Sequence, residues 1–178
     1  MKLSIVIPCL NEEVTIKRAV QTAYLSAKQL LKNNFEIIVA DNGSTDGSLQ
    51  KLSKIKHIRL IHVLVKGYGA ALHFGILSAK YPYALFADAD LSYDFSETGK
   101  FLPKIDKNFD LILGSRIQGN IEKGAMPFLH RFLGTPVLTF LIRLIYGIKT
   151  TDCNSGMRAV KRSFYRQLHM KNSGMEWA

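Results

Sequence analysis

The chain is expected to fold as an α/β unit, a mainly parallel sheet flanked by helices, and three observations carry that expectation. Five apolar runs of strand length recur along the 178 residues: Leu3 to Pro8, Phe35 to Ala40, Ile58 to Val65, Tyr83 to Ala87 and Asp110 to Gly114. They are continuous and rich in β-branched residues, as strands buried on both faces are. Helical patterns alternate with them, and that alternation marks a parallel sheet covered by helices. Acidic and turn-forming residues gather just after the runs, where an open α/β sheet binds ligands.

The elements follow in order. After the first strand, Glu12 to Lys32 places Ile16, Ala19, Val20, Ala23, Tyr24, Ala27, Leu30 and Leu31 at helical spacing, which makes one apolar stripe. A second helix is expected after Asp46-Gly47 and a third over Ala70 to Ser78. No internal repeat, low-complexity tract or linker divides the chain, so residues 1–178 read as one domain, long enough to bury roughly 70% of its unfolded surface. Residues 126–148 differ. They are strongly apolar but interrupted by His130, Arg131 and Arg143, and Pro136 should break or kink them. Too interrupted to span a bilayer, they suit either an amphipathic pair of helices in a membrane interface or a helical hairpin packed on the sheet.

Composition narrows the chemistry. Two cysteines, Cys9 and Cys153, make neither a disulfide framework nor a metal spacing, so a reducing compartment is expected. Proline interrupts the opening apolar run, which lacks the length of a signal peptide and reads as a first strand, so secretion is not expected. Lys plus Arg number 24 against 14 Asp plus Glu, and the net charge of +10 favours anionic partners. Nucleic acid is the least supported of these, since no reader motif or aromatic platform accompanies the charge.

Four segments carry candidate chemistry. Asp88-Ala89-Asp90 follows the fourth strand directly, and two hard oxygen donors without a His/Cys cluster suit Mg²⁺ or Mn²⁺ on a substrate diphosphate. A bare Asp-x-Asp is as readily a solvated loop. In Asp41-Asn42-Gly43-Ser44-Thr45-Asp46-Gly47, Asp41 is placed to accept hydrogen bonds from a nucleobase or ribose, while Ser44 or Asp46 can cap the next helix. Lys66-Gly67-Tyr68-Gly69-Ala70-Ala71 is a poor dinucleotide fingerprint but a glycine-rich helix start that lets backbone approach a ligand, with Lys66 as a phosphate contact. Arg116, Arg131 and Arg158 offer forks for phosphate oxygens, although surface arginines are commonly solvated, and Asp152 to Arg158 alone reads as a structural turn with a charged anchor.

As an ordered set, these segments resemble the family 2 glycosyltransferases of GT-A fold, nearest to the dolichyl- and polyprenyl-phosphate mannose and glucose synthases. The match rests on Val6-Ile7-Pro8-Cys9-Leu10-Asn11-Glu12, Ile38 to Gly47, Lys66 to Ala71, Asp88-Ala89-Asp90-Leu91, Gly114-Ser115-Arg116 and Asp152 to Arg158, nearly the whole chain. The resemblance implies a metal-dependent inverting transfer of sugar from a UDP- or GDP-sugar to a polyprenyl phosphate, at the cytoplasmic face of a membrane. It implies a nucleotide-sugar site of Pro8, Leu10, Glu12, Asp41, Lys66, Asp88, Ala89, Asp90 and Arg116. The metal, Mg²⁺ or Mn²⁺, would be held by Asp90, with Asp88 and Ser92. Asp90, Arg116 and Arg131 would carry catalysis, and Arg131 and Arg158 the acceptor phosphate.

Three positions depart from the mannose synthases, which commonly have Tyr at Leu10, a second Asp at Asn42 and Gln at Ser92, so a mannose donor is less favoured than a glucose-type one. The final Gly174-Met175-Glu176-Trp177-Ala178 resembles a segment beyond which family members continue, so a C-terminally shortened catalytic domain is expected. Two alternatives stay open: a glycan hydroxyl acceptor, with Glu176 as base, and a nucleotide-sugar-binding module without turnover.

Overall fold

The computed structural model describes residues 1–115, 135–148 and 150–177. Strands β1 (Leu3–Cys9), β2 (Phe35–Asp41), β3 (Arg59–His62), β4 (Tyr83–Phe86), β5 (Leu111–Leu113) and β6 (Arg158–Lys161) form a six-stranded sheet ordered β3-β2-β1-β4-β6-β5. Pairings β1 with β2, β1 with β4 and β2 with β3 are parallel, whereas β6 runs antiparallel between β4 and β5. The mainly parallel α/β fold expected from the sequence is therefore the fold observed.

Side chains of β1 alternate between two buried layers. Leu3, Ile5, Ile7 and Cys9 join Ile37, Val39 and Leu85 beneath α1 (Ile16–Leu31), the 3₁₀ turn Phe95–Lys100 and α4 (Leu102–Asp106). Val6 joins Ile38, Ala84 and Phe86 beneath α3 (Tyr68–Ser78) and α6 (Arg162–Gln167). Burial on both faces is why these strands read as unbroken apolar runs. Helix α1 buries Ile16, Ala19, Val20, Ala23, Ala27 and Leu31, six of the eight residues of its expected stripe, and leaves Leu30 exposed.

The differences from expectation are local. Helix α1 starts at Ile16 rather than Glu12, and β3 covers only part of the Ile58 to Val65 run, because Leu64 and Val65 are exposed beyond the sheet. Helix α2 (Ser48–Leu52) follows Asp46-Gly47 as expected. Asp46 accepts from the Ser48 amide at 2.9 Å, whereas Ser44 Oγ accepts the Asn11 amide at 3.0 Å and so is no helix cap. Strand β6 lies outside the five expected strands. The turn-like Asp152 to Arg158 segment runs into it, and Arg158 is a strand residue opposite Phe86 and Leu113.

Of residues 126–148, those from 126 to 134 lie outside the described residues. Thr135–Tyr146 forms one helix, α5, and Pro136 sits in its first turn, where a missing N–H disrupts nothing. Thr139 faces the body of the protein through Cys153, but Phe140, Leu144, Ile145 and Tyr146 are exposed. No helix among the described residues is long and apolar enough to cross a membrane.

Candidate active site

The chain runs β1, β2, β3 outward on one side of β1, then returns to place β4 on the other side. The carboxyl ends of β1 and β4 thus diverge at a topological switch point, the crevice where open α/β sheets take ligands. A cavity of about 280 Å³ opens there, lined by Pro8 at the end of β1 and Leu10 and Glu12 just after it, by Asp88, Ala89 and Asp90 after β4, and by Asn42, Tyr68 and Met175. A wider groove of about 710 Å³ lies against the amino ends of β2 and β3. Its carboxylate, Glu36, already accepts hydrogen bonds from Ser4 Oγ, the Lys80 amide and Arg59, so the chemistry belongs to the carboxyl-end cavity.

Asp90 is exposed at the mouth and held in place by Ser92, whose amide donates to Oδ1 and whose hydroxyl donates to Oδ2, both at 2.8 Å. Ser92, expected in the metal shell, thus also orients the carboxylate. Asp88 lies deeper, its Oδ1 accepting from the Tyr68 hydroxyl at 2.7 Å. Burial pushes the Asp88 carboxyl above the ordinary carboxylate range against the lowering pull of Tyr68, while Asp90 and Glu12 push it further and the Arg158 charge offsets them. Mutually repelling acids facing one cavity fit a divalent cation. Among the described residues no three His, Cys, Asp or Glu side chains could hold one. The set therefore suits Mg²⁺ or Mn²⁺ drawing its remaining ligands from a diphosphate and water.

The folded state raises the Asp88 pKa, so it holds that proton more tightly than the unfolded chain does. The group's contribution to stability is full below the unfolded carboxylate value and is lost as pH rises through the folded one. Asp88→Asn should consequently raise the melting temperature of the metal-free protein more at pH 7 than at pH 4. Thermal denaturation across that range checks it, and an equal shift at both ends would contradict it.

Asp41 is almost wholly buried and serves its own loop, accepting from the amides of Gly43 and Ser44 at 3.1 Å and lying 3.4 Å from His62 Nδ1. Burial alone would push its carboxyl up, but the Ser44 hydroxyl and amide, the Gly43 amide and His62 hold it below the usual range. The Lys66 ammonium folds onto the Asn42 carbonyl at 3.0 Å, beside this loop rather than on the cavity wall. Arg158 donates through Nε to the Ser155 carbonyl at 2.7 Å, and its charge reaches Asp88 and Tyr68. Arg116 and Arg131 lie outside the described residues.

The glycine-rich start of α3 is corrected by the structure. The backbone that approaches Gly67 and Gly69 is the protein's own: the amides of Gly69 and Ala70 donate to the carbonyls of Gly174 and Ser173, at 3.2 and 3.0 Å. Those amides are thereby committed within the chain, and the same segment brings Met175 to the cavity. Its anchor is Trp177, which stacks edge-on against Phe86 and donates to Tyr165 at 3.3 Å.

The partners of Tyr68 and Asn42 are not legible in the sequence, because they are distant along the chain. Asn42 donates to the carbonyls of Val63 and Val65, at 3.1 and 2.7 Å, and accepts the Gly67 amide at 2.7 Å. This accounts for amide rather than acid at the position. Asn42→Asp would lose two donors and set a carboxylate against two carbonyls, costing about 2 kcal/mol or more and lowering the melting temperature by roughly 4–8 °C. A melting temperature within 1 °C of wild type (~0.3 kcal/mol) would contradict it.

A sheet of this order, with paired carboxylates at its switch point, defines a GT-A fold. A family model for glycosyl transferase family 2 matches residues 4–168, and the chain belongs to that family. It is 34% identical over 177 residues to the low-salt glycan biosynthesis hexosyltransferase Agl6 of Haloferax volcanii, a match covering 99% of this chain and 42% of that protein. The dolichyl-phosphate hexose transferase of the same organism is 25% identical over 174 residues, covering 97% of this chain and 72% of the relative. The dolichyl-phosphate beta-glucosyltransferase of Dictyostelium discoideum is 28% identical over 189 residues, covering 95% and 58%. Among solved structures, glucosyl-3-phosphoglycerate synthase from Mycobacterium tuberculosis, in complex with Mn²⁺, UDP and phosphoglyceric acid, superposes with a TM-score of 0.65 at 21% identity, covering 91% of this chain and 56% of that one. That likeness speaks to the fold alone. The chain thus spans about half the length of several proteins it matches.

Proposed function

We propose that the protein is a metal-dependent inverting glycosyltransferase that moves a hexose from a nucleotide diphosphate sugar to a polyprenyl phosphate. The observation that carries this reading is the pairing of Asp88 and Asp90 in one cavity with Pro8, Leu10 and Glu12, at the switch point of a family 2 fold. Pro8, Leu10, Glu12 and Ala89 would border the nucleoside, with Asp41 and Lys66 shaping the loop beside it. A Mg²⁺ or Mn²⁺ ion, when bound by Asp90 and Asp88, would supply positive charge against the charge building on the leaving diphosphate.

An oxygen of the acceptor phosphate attacks the anomeric carbon as the bond to the diphosphate breaks, and the nucleoside diphosphate leaves with the electron pair. The acceptor is ionised near neutral pH, so no strong base is needed and positioning dominates. Arg158 can serve that role from β6, with Arg116 and Arg131 as further candidates. The lipid acceptor is supported by the dolichyl-phosphate transferases among the relatives. The apolar residues that α5 exposes, beside Arg143, support a peripheral position on the cytoplasmic face of a membrane.

The test is transfer of labelled sugar to polyprenyl phosphate in detergent with Mg²⁺ or Mn²⁺. Transfer from a UDP- or GDP-hexose is expected, and none from any common donor would contradict the reading. A hydroxyl acceptor keeps one specific support, since Glu176 follows Met175 at the cavity and is exposed. Glu176→Gln should spare transfer to the lipid phosphate; transfer to a glycan hydroxyl by the wild-type protein that disappears in Glu176→Gln would favour the hydroxyl acceptor.

A further inference from the structure

Resting on the donor reading above, we infer that Tyr68 is a positioning residue of the donor site: its hydroxyl holds the Asp88 carboxylate in the cavity. Tyr68 is the first residue of α3, and its ring packs against the layer that contains Val6, Leu72 and Phe86. It is fixed from two directions. The Gly67 amide before it donates to Asn42 Oδ1, and the Gly69 and Ala70 amides after it donate to the segment at 173–174. The phenol therefore points from a rigid mount at Asp88 Oδ1, 2.7 Å away, and both residues line the cavity.

Asp88 needs such a restraint. It is half-buried, with the negative charges of Asp90 and Glu12 and the positive charge of Arg158 all within reach. Arg158 and Asp88 form no ion pair within 4.0 Å among the described residues, and Arg158 Nε is engaged by the Ser155 carbonyl instead. Without the phenol, the carboxylate loses the hydrogen bond that fixes its rotamer in the cavity and is left to the pull of the surrounding charges. The neighbouring Asp90 has its own support in Ser92, so the loss falls on Asp88.

The test is a double-mutant cycle read by calorimetric titration of UDP and GDP in the presence of Mn²⁺. Tyr68→Phe keeps the packed ring and removes one charge-assisted hydrogen bond, so nucleotide affinity should fall about 10-fold with the melting curve still cooperative. In an Asp88→Asn background the residue facing the phenol is neutral, neither repelled by the acids nor drawn to Arg158. There Tyr68→Phe should change affinity by about 2-fold or less. An undiminished affinity in Tyr68→Phe, or equal losses in both backgrounds, overturns the assignment while leaving the donor reading intact. A wild-type protein that binds neither nucleotide overturns both.

Discussion

Asp90→Asn is expected to abolish the stabilisation that a nucleotide sugar and a divalent cation confer together, while barely moving the melting temperature of the metal-free protein. The side chain is exposed and supports no core contact. Its amide replacement can still accept from the Ser92 amide and donate to the Ser92 hydroxyl, so the turn survives. What disappears is a formal charge at the place where a cation and a diphosphate would meet. A donor at 100 times its Kd stabilises a protein by about 2.7 kcal/mol, or roughly 5–11 °C in a chain of this size. The wild-type protein should show that shift in differential scanning fluorimetry, and Asp90→Asn about 1 °C or none. Transfer should fall by about 100-fold or more, the scale on which a lost transition-state charge contact is felt. A variant that retains the full metal-dependent shift would remove Asp90 from the metal site.

Gly67→Ala should be the most damaging small substitution away from the carboxylates. Gly67 has φ 128° and ψ 152°, a region open essentially to glycine alone. A Cβ there would lie 2.1 Å from the Ser173 carbonyl oxygen, which is backbone and cannot swing aside. Backbone strain and displacement of the C-terminal segment together should cost about 3 kcal/mol or more, a fall of roughly 6–12 °C in melting temperature. Gly147 also has positive φ, at 65°, but among the described residues nothing lies within 4 Å of a Cβ built on it. Gly147→Ala should cost only about 1 kcal/mol and separates strain from collision. Because the displaced segment carries Met175 and braces the start of α3, Gly67→Ala should also weaken nucleotide binding, whereas Gly147→Ala should not. Equal melting temperatures for the two variants would show that residues 172–177 do not brace the helix.

What the sequence disclosed tracks the range of the interactions involved. Leu3 to Cys9, Phe35 to Asp41 and Tyr83 to Phe86 are legible because a strand buried on both faces leaves an unbroken apolar run. β6 is not, since Arg158 and Lys161 bracket only Ala159 and Val160, and its place between β4 and β5 is a long-range choice. Asp88 and Asp90 announced themselves by lying just past a strand. Tyr68 and Asn42 did not, because their roles rest on contacts 20 to 25 residues away. The glycines at 67 and 69 show the limit most clearly. Their pattern reports that some backbone comes close, and it cannot say whether that backbone belongs to a ligand's surroundings or to Ser173 and Gly174.

The most direct measurement is a calorimetric titration of the wild-type chain with UDP and with GDP, each with and without Mn²⁺. If the cavity between the ends of β1 and β4 is a metal-assisted donor site, one nucleotide should bind with Mn²⁺ present and bind at least 10-fold more weakly without it, as loss of a bridging cation demands. Absence of binding by both nucleotides, or binding indifferent to the metal, would contradict the assignment of Asp88 and Asp90 to a metal-bridged diphosphate.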